Sequence, residues 1–197
     1  MFIKPTTNNR LVVKVGTKTL LNGNSGLDTR VAASIASQIS TLVRQGIPVV
    51  LVTSGAIAAG KSLKKKGSWL QRPNEGEISE SGYAGIGALS LLSYWQEAFL
   101  PHTIMISQLL VTFASLYSSV EGKKFIESID EYLRHGIVPM INENDVLSDA
   151  EIRAKNMGIS DNDWLASQVA LKIEADSTLF LSDEDGLYEK NPKENKN

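Results

Sequence analysis

The sequence contains no cysteine, which excludes disulfides, thiolate metal sites and a cysteine nucleophile. Histidine is nearly as scarce: with only His102 and His135, neither a histidine-rich metal centre nor a Ser-His-Asp triad has its material. An excess of one charge is missing too. Twenty Lys+Arg stand against 22 Asp+Glu, a formal charge of -2, which supplies no basic field to gather nucleic acid or an anionic membrane. The short run Lys64 to Lys66 has neither interleaved aromatics nor a second basic cluster and reads as a solvated face or loop. No apolar run approaches the length of a membrane span, and "MFIKPTTNNR" lacks the core of a signal peptide. The expectation is a cytoplasmic protein whose partners are neither nucleic acid nor membrane.

What is present is the material of one globular domain. Hydrophobic residues at 42% of 197 positions are enough for a single core, with charged residues in the ordinary range. Near-continuous β-branched runs recur as "LVVKV" (11–15), "PVVLVT" (48–53), "TIMIS" (103–107), "IVPMI" (137–141) and "STLFLS" (177–182), the mark of strands buried on both faces. Between the first two, Val31, Ile35, Ile39, Leu42 and Val43 form one helical stripe closed by Gly46. "FIESIDEYLRHG" repeats that grammar, and further helices are expected over 84–99 and 162–173. Alternating helices and strands imply an α/β three-layer sandwich with a mainly parallel open sheet. The segment 61–82 reads as polar and turn-rich, residues 1–188 as the domain, and 189–197 as a disordered tail.

In such a sheet, ligands bind beyond the carboxyl ends of the strands. There the sequence puts Lys14, Gly16 and Thr17, then Thr53, Ser54 and Gly55, then Asn142, Glu143, Asn144 and Asp145, then Ser182, Asp183 and Asp185. Singly, each has a structural reading as edge lysine, helix cap or turn. Together they gather a cation, hydroxyls, glycines and carboxylates on one edge. "SGAIAAG" sets small residues at a helix start whose free N–H groups and positive dipole end can face an anion, Gly16 lets the backbone approach a phosphate, and Lys14 supplies a point charge. Neither a Walker sequence nor G-x-G-x-x-G occurs: "YAGIGALSLL" has Gly85 and Gly87, no third glycine and no strand before it.

"LVVKVGTKTL", "VVLVTSGAIAAG", "IVPMINENDV", "SDND" and "LFLSDEDGLY" resemble, in order and form, the glutamate-phosphorylating branch of the amino acid kinase family, over about residues 11–188. The resemblance implies phosphoryl transfer from ATP, with Mg2+ carried by the nucleotide and no metal bound by the protein, to L-glutamate, giving L-glutamyl 5-phosphate. Proline is implied as feedback inhibitor, and a homo-oligomer as the assembly. It implies Lys14 and Asp163 as catalytic residues, Asp163 holding the lysine in place. Ser54, Gly55, Asn142, Asp145 and Asn162 are the implied substrate-binding residues, and Lys14, Gly16, Ser182 and Asp183 the nucleotide-binding ones. The segment between Asp145 and Asn162 is the expected lid. The family continues into a Gly-rich stretch with a second nucleotide-gripping lysine where this chain has "EKNPKENKN", so an incomplete ATP site is expected. The alternative is an inactive or regulatory fragment that binds glutamate or proline.

Overall fold

The computed structural model describes residues 9–21, 26–65, 76–147 and 161–182. Five strands, β1 (Leu11–Val15), β2 (Val49–Thr53), β3 (Ile106–Val111), β4 (Val138–Glu143) and β5 (Ser177–Leu181), form one sheet in the order β3-β4-β2-β1-β5. Every neighbouring pair is parallel. Among the described residues the α-helices are α1 (Thr17–Leu20), α2 (Thr29–Arg44), α3 (Ala56–Lys65), α4 (Glu80–Phe99), α5 (Phe113–Tyr117), α6 (Glu121–Arg134) and α7 (Asp161–Lys172).

Strand alternation divides the core in two. Val13, Val15, Val49, Leu51, Val138 and Met140 face α2 and α4, where Ile35, Ile39, Leu91, Trp95 and Phe99 complete one cluster. Val12, Val50, Val52 and Ile141 face α5, α6 and α7, whose Leu116, Phe125, Ile129, Leu165, Val169 and Ile173 fill the other. This is the three-layer α/β sandwich expected from the sequence. β2 is buried at every residue because helices cover both its faces, and it is apolar up to Thr53, whose hydroxyl is hydrogen-bonded.

The helix-glycine-strand grammar has a hydrogen-bonded cause. After α2, Ile47 N donates to Leu42 O (3.0 Å) and Gly46 N to Val43 O (3.0 Å). After α6, Ile137 and Gly136 repeat the pattern on Tyr132 and Leu133. These paired bonds need the left-handed conformation, which Gly46 and Gly136 supply at φ 82° and 68°.

Three expectations shift. The third strand is Ile106–Val111 rather than 103–107, because β3 is a sheet edge whose exposed side accepts Gln108, so its pattern is not continuous apolar. The polar stretch 61–82 is helical at both ends: Lys61–Lys65 finish α3, and α4 starts at Glu80, with the Ser79 side chain accepting from Gly82 N at 3.1 Å. Helix α4 therefore starts four residues before the apolar periodicity does. The tail 189–197 lies outside the described residues.

The first pair of strands, β1 and β2, leads into helices on the α2/α4 face, whereas β3 leads into helices on the other face, where α7 also lies after β4. β2 and β4 are neighbours, so the chain leaves adjacent carboxyl ends toward opposite faces. That reversal opens a crevice between them, where such sheets bind ligands.

Candidate active site

Alternation along β1 puts Lys14 on the side of Val12, the face covered by α7. Its side chain is only 8% exposed, and Lys14 Nζ lies 2.6 Å from Asp163 Oδ1 in the first turn of α7. Asp163 is 43% exposed, so the pair reaches from the sheet interior to solvent. A carboxylate in a first turn also sits at the favourable end of the helix dipole. The two residues named as catalytic from sequence are thus in direct contact.

Gly16 follows β1 and lies against the lysine head. A Cβ built there would lie 3.2 Å from Lys14 Nζ and 3.6 Å from Leu181 O, so a side chain would press on the ammonium. Gly16 N and Thr19 Oγ1 both donate to Leu181 O, at 3.3 and 3.2 Å, tying the ends of β1 and β5 together. Ser182 is the next residue and is exposed on this edge; Asp183 lies outside the described residues.

At the end of β2, Ser54 is 4% exposed and its N–H donates to Val15 O at 3.2 Å. Gly55 adopts φ 111°, a conformation that side-chain-bearing residues rarely take, and its carbonyl accepts from Ala59 N at 2.9 Å to open α3. The first N–H groups of that helix have no intrahelical acceptor. Thr53, grouped with these residues on sequence grounds, faces the other way: its Oγ1 accepts from Trp95 Nε1 at 3.0 Å and is wholly buried.

At the end of β4, Asn142 and Glu143 are buried. Alternation puts Asn142 on the α4 side with Met140 and Glu143 on the α7 side with Ile141 and Lys14. Asn144 N donates to Val111 O at 2.8 Å, and Leu147 N to Asn144 O at 2.9 Å, closing the turn that carries Asp145. Asn162 stands beside Asp163 on α7, its Oδ1 buried and without a hydrogen-bond partner. Residues 148–160, most of the expected lid, lie outside the described residues.

Glu143, placed at the strand edge from the sequence but given no role there, is a buried carboxylate on the same face as Lys14. One feature escaped sequence reasoning. Trp164 stacks on Phe113 at 5.1 Å, and Phe113 on Tyr117 at 4.7 Å, bracing the first turn of α7 against α5. Among the described residues no group of three or more His, Cys, Asp or Glu is placed to hold a metal ion. No described helix is long and apolar enough to cross a membrane. An ammonium held by a carboxylate and a helix start with free N–H groups suit an anionic group moving between two anionic partners, whereas the unpartnered Asn162 Oδ1, an acceptor, suits a ligand donor such as an ammonium.

The profile of the amino acid kinase family matches residues 9–197, and the chain belongs to that family. Among curated proteins it is similar to the glutamate 5-kinase of Thermus thermophilus, 40% identical over 186 residues, 94% of this chain and 48% of that protein. The glutamate 5-kinases of Methanosarcina barkeri (38% over 192 residues, 94% and 48%) and Methanococcoides burtonii (36% over 184 residues, 93% and 47%) are similar in the same way. The chain spans about half the length of the curated relatives it matches.

Proposed function

We propose that the chain carries the glutamate-binding portion of a cytoplasmic glutamate 5-kinase, which phosphorylates the γ-carboxylate of L-glutamate from ATP. This is the first step toward proline. The observation that carries the reading is the 2.6 Å pair of buried Lys14 with Asp163 beside the crevice between β2 and β4.

The chemistry asks little of the protein. A carboxylate is ionised at neutral pH and needs no base to become a nucleophile. Its oxygen forms a bond to the γ-phosphorus as the bond to the ADP oxygen breaks, and catalysis lies in alignment and charge neutralisation. Lys14 would place its ammonium against the phosphoryl oxygens as negative charge builds, and Asp163 would hold it there. Asp145 suits the α-ammonium of glutamate. The unpartnered Asn162 Oδ1 marks a side chain whose amide is ready for a ligand, and Ser54 with Gly55 and the start of α3 offers hydroxyl and N–H donors. Lys14, Gly16 and Ser182, with Asp183, would hold the phosphates of ATP; the nucleotide supplies the phosphoryl group and carries Mg2+. The space kept open at Gly16 fits that role. Proline as feedback inhibitor and assembly into a homo-oligomer belong to the same reading.

The test is glutamate-dependent ATP consumption, with the acyl phosphate trapped as a hydroxamate. Activity that Lys14→Ala abolishes supports the proposal; activity untouched by Lys14→Ala refutes it. A second reading is that these residues by themselves bind glutamate or proline without turning it over. Calorimetry separates the two: glutamate binding with no ATP binding supports the second, and micromolar ATP binding removes it.

A further inference from the structure

The glycines of "YAGIG" fit no nucleotide motif, yet one of them, Gly87, makes the closest approach of any described glycine. A Cβ on Gly87 of α4 would lie 1.8 Å from Ala56 O and 2.4 Å from Gly60 N, and one on Gly60 of α3 would lie 2.1 Å from Tyr83 O. Backbone meets backbone here. Helix α4 therefore rests directly on the first turn of α3, the turn that follows Ser54 and Gly55. Two residues earlier, Gly85 faces the other wall: a Cβ there would lie 3.3 Å from Val146 Cγ2, in the turn that carries Asp145.

We infer that Gly85 and Gly87 are positioning residues for the amino-acid pocket. Gly87 fixes the height of the Ser54–Gly55 wall, Gly85 fixes how far the Asp145 turn leans in, and α4 is the spacer between them. This rests on the glutamate reading of the pocket and adds what sets its width. The sheet alone does not set it, because β2 and β4 pair through only two register positions, Leu51 with Met140 and Val52 with Ile141. Both pairs lie short of the loops that carry Ser54 and Asp145. Lys14 and Asp163 stand on β1 and α7, outside this contact, so the spacer acts on glutamate rather than on the phosphoryl end.

Gly87→Ala must push the backbones of α3 and α4 apart and is expected to lower thermal stability, so the decisive variant is Gly85→Val. Among the described residues a Cβ there meets only the end of Val146, which is 53% exposed, and the valine branches add bulk on that side. The expected result is glutamate binding weakened about 10-fold by calorimetry, because a small misplacement of a binding wall is costly. Val146→Ala added to Gly85→Val relieves the collision and should restore affinity to within about two-fold of the parent, a coupling that general destabilisation would not produce. Unchanged affinity in Gly85→Val, or no rescue by Val146→Ala, overturns the inference. Without ligand, the Asn144 and Leu147 amides, whose bonds close the turn, should exchange hydrogen faster in Gly85→Val and recover in the double variant. Unaltered exchange also overturns it. A parent chain that binds no glutamate defeats the proposed function instead, and the exchange measurement still decides the spacer.

Discussion

Lys14 Nζ and Asp163 Oδ1 lie 2.6 Å apart, but the two side chains are unequally covered, 8% exposed against 43%. The asymmetry has a consequence for mutation. Removing Asp163 leaves a buried ammonium without its counter-charge, whereas removing Lys14 leaves a carboxylate that water can still reach. Asp163→Ala is expected to destabilise by about 1–3 kcal/mol in urea unfolding, and Lys14→Met by clearly less. In the hydroxamate assay the order reverses: Lys14→Met is expected to lower turnover by roughly 10²–10³-fold, more than Asp163→Asn. Equal effects of the two substitutions in both measurements would show that the pair is a surface ornament.

At Gly55 the cost is conformational. An added Cβ meets only ordinary contacts, the nearest being Leu27 Cδ2 at 3.7 Å, but the φ of 111° disfavours any side chain. Gly55→Ala should therefore cost about 1–3 kcal/mol in urea unfolding and weaken glutamate binding as the loop relaxes. An unchanged midpoint would mean that the loop readily adopts another backbone.

Asp28 caps α2, its side chain accepting from Arg30 N at 2.9 Å, and the adjoining Arg30 guanidinium holds its carboxyl at about 2, below the ordinary 3.8. The folded-state value is depressed, so the charge contribution is fully present above pH 3.8 and is lost as pH falls toward 2. Asp28→Asn keeps a capping oxygen and removes only the charge. The parent should melt higher than the variant near pH 5, and the gap should close as pH falls to 2. A gap that stays constant with pH would assign the effect to hydrogen bonding alone.

Trp95 fills the core and donates to Thr53 Oγ1 at 3.0 Å, both residues being wholly buried. Trp95→Phe should lose about 1–3 kcal/mol by leaving that oxygen without its donor as well as by lost volume. Adding Thr53→Val should recover some of the loss. If the double variant is simply additive in urea unfolding, the hydrogen bond contributes nothing.

The sheet was legible where burial is two-sided. β1 and β2 appear in the sequence as near-continuous apolar runs, broken only by Lys14 and ended by Thr53, because helices cover both faces, whereas β3 is an edge and carries Ser107 and Gln108. The start of α4 was hidden for a different reason: Ser79 to Gly82 are turn-forming residues used as a cap and a first turn. The Lys14–Asp163 contact could not be read from local pattern, since the partners sit at opposite ends of the chain, and it came only from resemblance to a family. The sequence excluded the "YAGIG" glycines from a nucleotide motif without giving them a role. Glycine spacing reads equally well as phosphate approach or as helix contact, and only the position of Ala56 against Gly87 decides between them.

The order of strands also dictates when the site can exist. β1 is made first yet lies inside the sheet, flanked by β2 and by β5, the last of the five to be synthesised. A chain emerging from the ribosome holds Lys14 on a half-paired strand with no α7 above it. The contacts that complete the pocket are those of longest sequence separation, which form late. A nascent or clipped chain without α7 would keep the α2/α4 layer, lose the Leu165, Val169 and Ile173 side of the other layer, and leave Lys14 without Asp163, so that layer and the ion pair are completed together.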